Sequence, residues 1–158
     1  MEYTGMAGTY SQIYIHVVFA VQGRQNLIPP DHKNEIYKYI GGIFRNNKQK
    51  LLAINGMSDH LHILFNLKPE MAVADLIRDV KAHSSKFINQ KQWMRGKFNW
   101  QSGYGAFSYS ISQLGNVISY IENQERHHRK HTFREEYEKM LQLFNVPFDG
   151  KYLFEWIE

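Results

Sequence analysis

Apolar residues follow two different periods along the chain, and their alternation predicts a mixed α+β fold. Residues 10–21 are rich in β-branched and aromatic residues, which is typical of a buried strand. We interpret residues 50–57, 60–67 and 105–109 as three further strands. Apolar positions spaced three and four residues apart predict amphipathic helices over about 31–47 and 71–90.

Two capping signatures predict further helices near the end of the chain. Ser110 with Gln113 predicts a helix from 110 to about 128, and Thr132 with Glu135 predicts a last helix to about Phe144. The resulting order of elements is that of a ferredoxin-like βαββαβ fold. We therefore expect a four-stranded antiparallel sheet with helices on one face, followed by C-terminal helices. We interpret residues 1–158 as one domain, with a core over about 10–130 and a helical tail over about 131–158.

The amino-acid composition excludes several classes of protein. The chain has 158 residues, eight histidines and no cysteine, so a disulfide scaffold, a cysteine-ligated metal site and a thiol nucleophile are excluded. Its formal charge of +4 weakly favours an anionic partner. Because neither a signal peptide nor a membrane span is evident, we expect a cytoplasmic protein without a membrane partner.

The first candidate site is Asp59-His60-Leu61-His62, at the start of the third predicted strand. Alternate side chains of a strand point to the same face, so His60 and His62 lie side by side. Two neighbouring imidazoles can ligate one divalent metal. The alternative is a pair of partly buried histidines that hydrogen-bond to backbone carbonyls or to a sheet neighbour.

The second candidate site is Tyr120 with Gln124 in the penultimate helix. These residues are four apart and therefore lie one turn apart on one helical face. A tyrosine hydroxyl is a competent covalent nucleophile where its electrophile is polarised, which a metal on a phosphate would do. The alternative is a half-buried tyrosine beside a solvated glutamine.

Together, these features resemble the HUH endonucleases, and among them the single-tyrosine, IS200-like transposases of bacterial insertion sequences. The resemblance is carried by four segments: YIHVVFAVQGRQNLI, GMSDHLHILFNL, GYGAFSYS and YIENQERHH, which are similar to the first strand, the HUH hairpin, the last strand and the nucleophile helix of the family. The tail FREEYEKML follows, as it does in the family.

The resemblance implies a mechanism. His60 and His62 would hold Mg²⁺ or Mn²⁺, with Gln124 completing the protein ligands. Tyr120 would attack a phosphate of single-stranded DNA, leaving a 5′-phosphotyrosine that permits later rejoining. The implied enzyme is a homodimeric DNA transposase that acts on hairpin-bearing element ends, is associated with the nucleoid when bound to DNA, and uses no organic cofactor. In this family the tyrosine helix of one subunit can complete the partner's site, and Gly115 is either a flexible point for that exchange or a packing glycine. A domesticated relative that acts on repetitive extragenic palindromes is a close variant.

Basic residues are the candidates for phosphate contact. They are Arg24, Lys81, Lys86, Arg126, Arg129 and Lys130. The alternative for the last three is a solvated helix end that complements the helix dipole. We expect His16, His32 and His83 to be structural or surface residues.

Two other classes of function remain open. The same order of elements serves non-enzymatic binding of single-stranded nucleic acid, as in RRM domains, although no RNP1-like pattern occurs on a predicted strand. A water-using metallohydrolase would add His127 or His128 to the histidine pair and would not need Tyr120. By ligand preference alone, the two imidazoles suit zinc or manganese better than magnesium.

Overall fold

The structure, a computed structural model, describes residues 8–23 and 27–157. Its strands are β1 (Tyr14–Ala20), β2 (Lys50–Met57), β3 (His60–Asn66) and β4 (Gly105–Tyr109). Its helices are α1 (Lys33–Asn46), α2 (Val73–Lys91), α3 (Leu114–Glu122), α4 (Gln124–His127) and α5 (Phe133–Leu143). Short 3₁₀ turns precede α1 and α3, and another follows α5. None of the helices in the described segments is long and apolar enough to cross a membrane.

The four strands form one antiparallel sheet in the order β2-β3-β1-β4, which confirms the predicted α+β architecture. β3 is an inner strand, with β2 on one side and β1 on the other. In this register His62 lies opposite Asn55 of β2 and Val18 of β1, and His60 lies opposite Ala20. The two histidines therefore sit in the middle of the sheet rather than at an edge.

Both faces of the sheet are covered. One face carries apolar side chains such as Phe19, Ile63 and Phe65, which pack with α1 and α2 into the main core. The other face carries the histidines, and α3 packs on it through Val117 and Ile121. Because the C-terminal helices cover this second face, every residue of β3 except the last is buried.

The helix predicted over 110–128 begins at the expected capping box but is interrupted at Asn123. The side-chain amide of Asn55 donates hydrogen bonds to the carbonyls of Ile121 and Glu122, at 3.0 and 3.1 Å. These bonds satisfy carbonyls that end α3, so a separate short helix starts at Gln124. β2, which carries Asn55 opposite His62, thus also fixes the end of α3.

Gly56 of β2 and Gly115 of α3 differ in the space that surrounds them. A Cβ atom at Gly56 would lie 2.1 Å from the carbonyl oxygen of His60 and 2.9 Å from the Cα of Leu61. At Gly115, which is exposed on α3, an added Cβ would have no described atom within 4 Å. The structure therefore gives no packing reason for Gly115, whereas the backbone of β3 excludes any side chain at Gly56.

We predict that Gly56→Ala lowers the free energy of unfolding by about 3 kcal/mol, because the backbone of β3 must move to admit a methyl group. Gly115→Ala is the matched control and should raise it by roughly 0.5 kcal/mol, since alanine favours a helix. Urea unfolding of both variants measures the difference. Equal effects of the two substitutions would contradict this packing.

Candidate metal and nucleophile site

His60 and His62 point from β3 to the same place and are both fully buried. The Nδ1 atom of each ring lies within hydrogen-bonding distance of a neighbouring side chain, which fixes the orientation of the ring. Nδ1 of His60 lies 2.7 Å from Oδ1 of Asp59, and Nδ1 of His62 lies 2.8 Å from Nε2 of His16. With both Nδ1 atoms engaged, the Nε2 atoms are presented together, as ligand histidines require. His16, which we expected to be structural or at the surface, is buried and positions His62.

Glu136 of α5 lies at the centre of the site, with its side chain 1% exposed. Its Oε1 atom is 3.3 Å from Nε2 of His60, 3.0 Å from Nε2 of His62 and 3.1 Å from Nε2 of His128. His60, His62 and Glu136 form a group with donor atoms close enough to share one metal ion. A carboxylate from the last helix therefore meets the histidine pair of the sheet.

Tyr120 and Gln124 reach the same carboxylate. The hydroxyl of Tyr120 donates a hydrogen bond to Oε2 of Glu136, and the amide of Gln124 donates to that oxygen at 3.0 Å. The amide oxygen of Gln124 lies 3.2 Å from Nε2 of His60. The structure thus brings together Tyr120, Gln124 and the two histidines, although a break in the helix separates the first two.

His127, the last residue of α4, and His128, which follows it, also border the site. Nε2 of His128 lies 3.1 Å from the amide oxygen of Gln124, and Nε2 of His127 lies 3.5 Å from Oε2 of Glu136. Nε2 of His127 is buried and has no hydrogen-bond partner among the described residues. His127, His128 and Glu136 form a second group with metal-compatible spacing, which shares its carboxylate with the first.

Burial and charge act in opposite directions on the ionisable groups here. Burial opposes ionisation of Glu136, but the imidazoles of His62, His128 and His60 outweigh it and lower the pKa of the carboxyl. Burial also opposes protonation of His60, but Asp59 and Glu136 raise its pKa to about 9. Burial lowers the pKa of His62 and raises that of the Tyr120 phenol, to which the negative charge of Glu136 adds. The resting hydroxyl of Tyr120 is therefore neutral.

The predicted phosphate contacts are divided between the two sides of the sheet. Arg129 and Lys130 are exposed and line an open cavity of about 510 Å³ that also contacts Asp59 and His128. Arg126 is exposed on α4.

The other candidates for phosphate contact lie away from the site or cannot be placed. Lys81 and Lys86 belong to α2, which covers the face opposite the histidines. The amine of Lys81 donates to the carbonyls of Gln101 and Gly103, so it is already used within the fold. Arg24 lies outside the described residues.

Sequence reasoning missed Glu136, although a signal for it exists. Thr132 and Glu135 form the predicted capping box, which draws attention to the neighbouring glutamate. Glu136, however, lies on the buried stripe of α5 with Phe133 and Met140, three residues before and four after. A carboxylate on the apolar side of an amphipathic helix is rarely buried without partners. That position is the available indication of a role inside the protein.

Comparisons with known proteins agree with this fold. The model of the family described as "Transposase IS200 like" matches residues 9–124. The ISDra2 transposase TnpA of Deinococcus radiodurans is 21% identical over 122 residues, which cover 74% of this chain and 87% of that protein. A sheet with a His-x-His strand beneath a tyrosine helix is thus found in a chain that belongs to the IS200-like transposase family.

Two solved structures share the fold. A crystal structure of a candidate transposase from D. radiodurans R1 superposes with a TM-score of 0.58 and 22% identity, covering 77% of this chain and 98% of that one. A REP-associated tyrosine transposase bound to a REP hairpin superposes with a TM-score of 0.60 and 11% identity, covering 99% and 98%. The second match extends over the C-terminal helices, which the family model does not cover.

The raised pKa of His60 predicts a pH-dependent stability in metal-free buffer. A histidine whose pKa rises on folding from 6.5 to about 9 stabilises the protein fully below the lower value. This contribution, about 3 kcal/mol, is lost as the pH rises through the higher value. Asp59→Asn should therefore destabilise the protein by about 2 kcal/mol near neutral pH and by much less above pH ~9.

Urea unfolding of wild type and Asp59→Asn across this pH range, with a chelator present, provides the measurement. The relevant quantity is the difference in the free energy of unfolding between the two proteins. A difference that stays constant with pH would contradict the charged Asp59–His60 pair.

Proposed function

We propose that this protein cleaves and rejoins single-stranded DNA through a covalent bond between Tyr120 and a DNA 5′-phosphate, with a divalent metal ion bound at His60, His62 and Gln124. Family membership supports the class of enzyme, a DNA transposase. The observation that carries the mechanism is the meeting of the Tyr120 hydroxyl and the two histidine Nε2 atoms around one carboxylate.

The donor atoms fit a divalent metal ion. Ligands bound about 2.1 Å from one ion lie roughly 3 Å from each other. Nε2 of His60 is 3.2 Å from the amide oxygen of Gln124, and Nε2 of both histidines lies 3.0 to 3.3 Å from Oε1 of Glu136. A bound ion would supply Lewis-acid polarisation of a phosphate oxygen. Mg²⁺ and Mn²⁺ are the ions expected from the family.

The chain's own residues account for the rest of the reaction. The Tyr120 oxygen forms a bond to the phosphorus of a phosphodiester, and the bond from phosphorus to the 3′ oxygen breaks. The proton lost by the tyrosine passes through solvent to the leaving oxygen, which becomes a 3′-hydroxyl. Attack by a 3′-hydroxyl on the phosphotyrosine reverses these steps and rejoins DNA without another energy source. Gln124 and Glu136 orient the tyrosine.

The proposed partner is single-stranded DNA with a hairpin. Arg129 and Lys130 line the open cavity beside Asp59 and His128, where they can contact phosphates, and Arg126 precedes them on α4. The structural relative bound to a REP hairpin supports this choice of DNA. We also propose a homodimer in the cytoplasm.

A denaturant-stable protein–DNA adduct tests this function. Incubation with single-stranded hairpin DNA and Mn²⁺ or Mg²⁺ should yield the adduct with wild-type protein. Tyr120→Phe should abolish it because the nucleophilic oxygen is missing, and a chelator or the pair His60→Ala/His62→Ala should lower it by at least 100-fold. Tyr152→Phe is the matched control, since Tyr152 is 83% exposed. An adduct that persists in Tyr120→Phe overturns the assignment of the nucleophile.

One observation favours a second candidate function, metal-dependent hydrolysis by water. His128 lies within hydrogen-bonding distance of Glu136 and Gln124, so a third imidazole is available at the site. Three protein ligands and a water molecule make a common hydrolytic centre. Cleavage of the same DNA without an adduct, unaffected by Tyr120→Phe, would identify this function instead.

A further inference from the structure

The last helix contributes a charged group to the proposed metal site, and this group lies outside the segment matched by the family model. That model ends at residue 124, whereas Glu136 lies on α5. Glu136 is buried, with a side chain 1% exposed, among groups from β3, α3 and α4. Burying a carboxylate costs several kcal/mol unless cations or hydrogen bonds compensate for it. A carboxylate in this position therefore needs a positive charge or hydrogen-bond donors close to it.

The two oxygens of Glu136 face different partners. Oε1 faces Nε2 of His60 and His62, at 3.3 and 3.0 Å, which is the separation of ligands that share an ion. Oε2 accepts hydrogen bonds from the hydroxyl of Tyr120 and the amide of Gln124. One oxygen thus points to the proposed ion and the other to the nucleophile.

We propose that Glu136 is a ligand of the divalent metal ion, so that the centre combines two imidazoles from the sheet, the amide of Gln124 and a carboxylate from α5. The same side chain positions the hydroxyl of Tyr120 beside the ion. This inference rests on the proposed function in one respect, namely that a divalent ion binds at the histidine pair. It adds an anionic ligand and makes the C-terminal helix part of the metal site.

A ligand and a mere occupant of the site have opposite effects on metal affinity. If Glu136 binds the ion, a neutral side chain removes both a donor and its charge, and affinity falls. If Glu136 instead fills the site and must be displaced by the ion, the neutral side chain makes binding tighter. The direction of the change therefore distinguishes the two roles.

Calorimetric titration of the full chain with MnCl₂, without DNA, makes this measurement. Imidazole and carboxylate donors both suit Mn²⁺, which is the reason for choosing this probe. Glu136→Gln should weaken Mn²⁺ binding by at least about 10-fold. Glu138→Gln is the matched control, because Glu138 lies on the same helix and pairs with Arg134. That variant should retain an affinity within about 2-fold of wild type.

A second variant guards against a folding defect in Glu136→Gln, which far-UV circular dichroism would reveal. Glu136→Asp keeps the charge but withdraws the carboxylate by one methylene, so its Mn²⁺ affinity should also fall, though by less. Unchanged or tighter Mn²⁺ binding in a folded Glu136 variant overturns the proposal. The proposed function is tested separately, by the DNA adduct. If Mn²⁺ binding needs Glu136 but wild-type protein forms no DNA adduct, Glu136 remains a metal ligand and the strand-transfer mechanism is wrong.

Discussion

A carboxylate that is almost inaccessible to solvent determines the arrangement of the site. Glu136 needs compensation for its buried charge, and the surrounding elements supply it. The imidazoles of β3, the end of α4 and the side chains of Tyr120 and Gln124 all converge on its two oxygens. Because breaking such a network leaves an uncompensated charge, the position of α5 and the geometry of Tyr120 are coupled.

The sheet makes this possible because its two faces are built differently. The face under α1 and α2 is apolar and supplies the main core. The opposite face buries the histidine pair, and all four ring nitrogens of that pair have partners, as the burial of polar groups requires. Asp59 and His16 hold the Nδ1 atoms of the histidine pair, and the Nε2 atoms meet Glu136 and Gln124. The rings are therefore fixed before any ligand binds, which is the condition for a preorganised site.

Local periodicity was sufficient to predict a large part of this arrangement. The two-residue repeat of a strand places His60 beside His62, and the spacing of four places Tyr120 near Gln124. The order of strands and helices likewise predicted the sheet. The interruption at Asn123 was not predictable in this way, because it depends on the side chain of Asn55 in a distant strand.

Glu136 shows the limit of local reasoning most clearly. It lies 74 residues from His62 along the chain, so only the tertiary path of α5 brings the two together. The capping box that starts α5 was recognised, but it gives the beginning of a helix and not the surface against which that helix packs. For the same reason the support that His16 gives to His62 follows from strand pairing between β1 and β3, and not from either strand alone.

The proposed function depends on one site for a divalent ion between the Nε2 atoms of His60 and His62, next to Tyr120. Crystals grown without metal, soaked in MnCl₂ and measured with X-rays that manganese scatters anomalously, test it directly. We predict a single strong anomalous peak roughly 2 Å from both Nε2 atoms. A well-ordered site with no peak between the two rings, while manganese binds elsewhere on the chain, would contradict it.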